Sequence, residues 1–147
     1  MSPVPSPVPI VFVGHGGFPA GVRDAVEMIL GGQEHVATVS LPPDGSTELV
    51  AEQVSAVVDR LGGDGALVLA DLMGGSPANA VGLLALRDPR LQLVSGLNLP
   101  MALEVLTSVA ETAAELAAVA VSAGGDGVVD VAARLREAAS QAGRSGT

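Results

Sequence analysis

Residues 10–41 read IVFVGHGGFPAGVRDAVEMILGGQEHVATVSL. Ile10–Val13 is an unbroken apolar run stopped by glycines, the pattern of a short strand buried on both faces. Val22, Val26, Ile29 and Leu30 then recur at helical spacing until Gly31-Gly32 ends the pattern. Val36–Leu41 reads as a second strand, closed by Pro42-Pro43. Strand, helix and strand in so short a span predict parallel pairing, because the helix is the crossover that parallel strands need.

The alternation continues outward. Asp44 and Ser46 can cap a helix whose stripe is Val50, Val54, Val57, Val58 and Leu61, ended by Gly62-Gly63. Ala66–Ala70 is a third strand. Ser76-Pro77 opens a third helix, with Ser as N-cap and Pro at the first helical position. Leu91–Ser95 is a fourth strand, and Asn98 with Pro100 loosely repeats the helix-start signal. Four strands alternating with helices predict an α/β fold: a three-layer α/β/α sandwich around a mainly parallel sheet. Further on, Glu111–Ser122 is Ala-rich and helical. Gly127–Val131 suits either a short strand or the start of another helix. Residues 1–9 are expected to be a disordered Pro-rich leader. Residues 132–147 are expected to form a helical or frayed tail, fraying from Arg144 to Thr147.

Composition narrows the function. A chain of 147 residues suffices for one compact domain. It is 48% hydrophobic, yet Phe12 and Phe18 are its only aromatics, so the core must be Val, Leu, Ile and Ala. The net charge is −9 and all seven basic residues are Arg. That balance argues against nucleic acid and suits a protein partner with a basic docking face, although solubility alone also explains it. The absence of cysteine excludes disulfides, thiolate zinc sites and a Cys nucleophile. The leader lacks the basic start and long apolar run of a signal peptide, and no apolar run is long enough to span a bilayer. The expectation is a soluble cytoplasmic protein.

In an open parallel sheet the strand-to-helix loops share one rim, and ligands bind there near a switch in strand order. Three such loops are unusual: Gly14-His15-Gly16-Gly17, Asp71 through Pro77, and Gly96-Leu97-Asn98-Leu99-Pro100. Glycines leave His15 open to a partner. If the first and third strands are neighbours, Asp71 can bond one ring nitrogen and leave the other unprotonated and nucleophilic. Gly74, Gly75 and Ser76 would then offer amide donors to an anion at a helix start. Nucleophile, orienter and anion cradle are the parts that phosphoryl acceptance needs. Plainer readings stand beside these. His15 can be only a loop residue, Asp71 a turn cap, Gly74-Gly75-Ser76-Pro77 a tight turn with a cap, and Asn98 a helix cap. His35, at the opposite rim, is expected to be structural or solvated. There is no Walker loop and no dinucleotide fingerprint. Two histidines at opposite ends of the sheet cannot share a zinc ion, so neither a cofactor nor a metal is expected. A Ser76-His15-Asp71 hydrolase triad is disfavoured because Ser76 precedes Pro and is not in a nucleophile elbow.

At these positions the sequence resembles the mannose-type enzyme IIA component of the bacterial sugar phosphotransferase system. The matching segments are Ile10–Gly16, Asp71-Leu72-Met73-Gly74-Gly75-Ser76-Pro77-Ala78-Asn79-Ala80 and Gly96–Met101, in register from about residue 10 to about residue 131. The resemblance implies a phosphocarrier, with His15 as the phosphorylated histidine and Asp71 as its partner. Gly74, Gly75 and Ser76 would surround the phosphoryl oxygens, with Gly16, Met73 and Asn98 facing protein partners. It implies a donor, the phosphohistidine of the small carrier HPr, and a sugar-specific IIB acceptor that serves a membrane IIC/IID component. It also implies a homodimer in which a C-terminal antiparallel edge strand, at Gly127–Val131, is exchanged between subunits. Met73 departs from the aromatic residue of well-known members. No IIB sequence follows, so the acceptor is expected on a separate chain. Two other outputs suit the same histidine: the phosphotransfer subunit of dihydroxyacetone kinase, and a regulator that docks according to its phosphorylation.

Overall fold

The structure is a computed structural model, and it describes residues 7–62 and 64–145. Ten elements follow in order: β1 (Ile10–His15), α1 (Phe18–Leu30), β2 (Val36–Leu41), α2 (Thr47–Leu61), β3 (Ala66–Ala70), α3 (Ser76–Arg87), β4 (Leu91–Ser95), α4 (Leu99–Thr107), α5 (Ala113–Asp126) and α6 (Val131–Ser145). The four strands form one sheet in the order β2-β1-β3-β4, and every neighbouring pair is parallel.

Strand alternation divides the core into two layers. Ile10, Phe12, Leu67 and Leu69 face α1, α4 and α5, packing on Val26, Met101, Val105 and Leu116. Val11, Val13 and Val68 face α2 and α3, packing on Val50, Val54, Val58 and Val81. With both faces covered, the strands carry unbroken apolar runs, and this gives the expected sandwich its three layers. The chain passes from β1 outward to β2, then back across β1 to β3. Two crossovers of the same hand in opposite directions place α1 on one face and α2 on the other. The reversal leaves β1 and β3 side by side with their C-terminal ends on a common rim.

Local signals account for most boundaries. Gly31 and Gly62, both at positive φ, stop α1 and α2. Ser46 caps α2 by accepting from the Leu49 N–H at 3.2 Å. β1 extends past the apolar run to include His15, because Gly14 and His15 continue the ladder opposite Ser40 and Leu41.

Two expectations require correction. Ser76 is not the N-cap of α3. Gly75 takes that place in extended conformation, Ser76 is the first helical residue, and the Ser76 side chain makes no capping bond. Gly127–Asp130 forms no strand in the single chain. Asp130 caps α6, its carboxylate accepting from the Ala133 N–H at 2.9 Å, and the helix begins at Val131. The described part of the proposed leader is packed: Val8 lies against the core, and the Pro9 carbonyl accepts from the Leu67 N–H at 2.9 Å. The rest of the proposed leader, residues 1–6, lies outside the described residues. So do Gly63 and the last two residues of the proposed fraying end, while Arg144 is helical. No single described helix is long and apolar enough to cross a membrane.

Candidate functional site

The rim at the switch in strand order joins two residues that are 56 positions apart. His15 Nδ1 lies 2.6 Å from Asp71 Oδ2. The same carboxylate oxygen accepts the backbone N–H of His15 at 3.0 Å, and Oδ1 accepts the N–H of Leu72 at 2.8 Å. Two parallel-strand contacts place the loops: the Asp71 N–H donates to the Val13 carbonyl, and the Gly16 N–H to the Leu41 carbonyl. Gly14 contributes by having no side chain, since a Cβ there would lie 3.0 Å from the Asp71 carboxylate.

The electrostatics follow from this geometry. Burial alone would raise the Asp71 carboxyl. The His15 side-chain bond, the His15 and Leu72 amide bonds and the His15 charge outweigh it, and hold Asp71 below its usual 3.8. An ionised carboxylate can only accept, so Nδ1 carries the shared proton and Nε2 presents its lone pair. The ring is half exposed (50%) whereas the carboxylate is nearly covered (10%), leaving the orienting group shielded and the reactive edge open. Because Asp71 releases its proton more readily folded than unfolded, its stabilisation is complete above the unfolded value near 4. It fades as the pH falls through the lower folded value. Carbon-detected NMR is expected to give Asp71 a midpoint below 3.8; a midpoint above it would contradict the hydrogen-bond network.

The other candidates distribute unequally. Gly75 lies against the ring, where a Cβ would stand 3.2 Å from His15 Cε1, and this close approach sets the start of α3 beside the imidazole. Gly74 turns the loop at a φ of 82°. Ser76 is exposed at the first turn of α3. Gly16, with a φ of 53°, and Met73, 86% exposed, stand open on the rim. Asn98 is placed differently: both ends of its amide are used within the chain. Oδ1 caps α4 by accepting from Met101 N–H at 2.9 Å, and Nδ2 donates to the Gly124 carbonyl at 3.1 Å. Asn98→Ala is expected to cost roughly 1–2 kcal/mol in urea unfolding through loss of the cap and the α5 tie. His35 precedes β2 at the far end of the sheet, where its carbonyl accepts from Ile10, and burial pushes its ring pKa down.

Two features of the rim are not legible in the sequence. The Leu72 N–H holds the second carboxylate oxygen, a backbone role that leaves no residue signature. Phe18, exposed beside the first rim loop, lines an apolar notch with Val22, Leu97 and Leu99. Its signal was an aromatic following a glycine loop in a chain with only two aromatics.

Comparison with known proteins finds relatives over most of the chain. Residues 9–122 match the EIIA-man family, described as the PTS system fructose IIA component. The chain is 32% identical over 138 residues to the PTS system mannose-specific EIIAB component of Escherichia coli strain K12, covering 92% of this chain and 43% of that protein. It thus spans less than half the length of that relative. It is also 32% identical over 96 residues to the sorbose-specific EIIA component of Klebsiella pneumoniae, covering 65% and 70% of the two chains. The crystal structure of phosphotransferase system component EIIA from Streptococcus agalactiae superposes with a TM-score of 0.79 at 30% identity, covering 86% of this chain and 98% of the other.

Proposed function

The chain belongs to the EIIA-man family of phosphotransferase system components, and from that premise we propose that it carries a phosphoryl group on His15 during sugar uptake. The donor is the phosphohistidine of an HPr-like carrier. The acceptor is a sugar-specific IIB protein, linked indirectly to membrane IIC/IID components. The protein works in the cytoplasm as a homodimer.

The observation that carries this reading is the 2.6 Å pairing of His15 Nδ1 with Asp71 at the switch in strand order. With Nδ1–H held by the carboxylate, Nε2 attacks the phosphorus of the donor. The new N–P bond forms as the donor's N–P bond breaks, and the bonding pair returns to the donor imidazole. The His15 ring keeps its Nδ1 proton and gains positive charge, which the adjacent carboxylate offsets. The transferring group has little covalent chemistry to be catalysed, so alignment and charge stabilisation suffice. Gly74, Gly75 and Ser76, at the positive end of α3, receive the phosphoryl oxygens. Gly16, Met73 and Asn98 form part of the face covered by the protein partners, Asn98 while also capping α4.

The test is incubation with phosphoenolpyruvate, enzyme I and HPr, followed by mapping of acid-labile phosphate. One phosphate per chain on His15 is expected. Label on another residue, or none, would end the proposal.

A further inference from the structure

Gly74 and Gly75 form the turn that meets the imidazole, with Gly75 lying against His15 Cε1. No side chain of their own fixes the peptide between them. In a planar trans peptide the Gly74 carbonyl and the Gly75 N–H point in opposite directions. If that peptide turns over, an acceptor replaces a donor on the side it had faced. The turn moves Gly75 from its φ of −76° into the positive-φ region, which glycine enters without steric cost. The two glycines that let the loop approach the ring therefore leave the direction of this donor open.

A more distant side chain closes it. Asn79 Nδ2 donates to the Gly74 carbonyl at 3.4 Å across the first turn of α3. With its carbonyl held toward Asn79, the peptide sends the Gly75 N–H the other way. The backbone of Asn79 is itself well placed. Its N–H donates to the Gly75 carbonyl at 2.9 Å, and Pro77, Ala78 and Ala80 around it are buried. The side-chain bond is long and exposed, so it adds little to stability; what it supplies is direction. Direction counts here because donors are few. The Gly75 N–H donates to no described residue, and Pro77, the second helical residue, has no N–H to offer.

We propose that Asn79 is a positioning residue for phosphoryl transfer, holding the Gly74 carbonyl away from His15 so that the Gly75 N–H faces the phosphoryl oxygens. The proposal rests on His15 as the phosphoryl carrier. Without Asn79 the peptide spends part of its time turned over, and a carbonyl dipole then opposes the anion that an amide had stabilised.

Asn79→Ala in the full chain gives two readouts. The residual dipolar coupling of the Gly75 N–H, measured on unphosphorylated protein in a stretched gel, reports the direction of that bond. It is expected to fit one orientation in the native chain and to fall by about half or more in the variant, as two orientations average. Single-turnover transfer from phosphorylated HPr is expected to slow at least about tenfold at saturating donor, with KM for the donor and the urea midpoint unchanged. Asn79→Gln, which keeps a donor, is expected to lie between Ala and the native chain. An unchanged coupling overturns the proposal whether or not His15 is phosphorylated. So does a rate within twofold of native, or a Gln variant no faster than Ala, and the carrier reading then still stands. A rise in KM alone would make Asn79 a docking contact and overturn its positioning role. No phosphate on the native chain would end the carrier reading and this proposal together.

Discussion

The His15→Ala protein is expected to take up no phosphoryl group from phosphorylated HPr while remaining folded. Among the described residues, the imidazole is the one side chain that meets the Asp71 carboxylate. The ring is half exposed and contributes little to the core, so the loss in stability should stay within about 1 kcal/mol. Intact-mass measurement under mildly alkaline conditions checks uptake, and urea unfolding checks the fold. Stoichiometric phosphorylation of the variant would move the reaction to another residue.

Asp71→Asn is expected to slow single-turnover transfer roughly a hundredfold or more, the size general for a carboxylate that orients a reacting imidazole. The carboxylate now satisfies three donors: His15 Nδ1–H, His15 N–H and Leu72 N–H, spread over both oxygens. An amide has one acceptor oxygen, so its NH2 group must confront at least one of those donors. If the amide nitrogen turns toward the ring, it favours the tautomer with an unprotonated Nδ1, and Nε2 then carries the proton and cannot attack. If the oxygen stays with the ring, the NH2 faces Leu72 and the loop is strained. Either outcome removes the charge that offsets the phosphorylated ring. Rapid-quench kinetics with His15 phosphate as the readout separate this from unfolding. An unchanged rate would remove Asp71 from the mechanism.

Much of the architecture is readable in the chain because its signals are local. Val36–Leu41, Ala66–Ala70 and Leu91–Ser95 are strands with the boundaries that their apolar runs and glycine or proline stops suggest. Ser46 and Asn98 cap the helices that they precede. The same local logic misplaces Ser76: the helix starts one position earlier, with Gly75 in the capping place. At Gly127–Asp130, valines favour a strand and Asp130 favours a helix cap. Periodicity over so few residues cannot choose between them; within the chain the Asp130 bond to Ala133 starts a helix at Val131.

The candidate site divides in the same way. The amino-acid order alone determines that a glycine-flanked imidazole ends one strand, that a carboxylate follows another, and that a glycine-rich helix start comes soon after. Only the tertiary structure decides that these meet. The meeting depends on the chain doubling back past β1 after β2, which makes β1 and β3 neighbours and leaves their ends on one rim. Strand order is a property of long-range packing, since each crossover must cover the opposite apolar face of the same sheet. The shielded Asp71 beside the open His15 therefore belongs to the fold, although both residues can be named from the sequence.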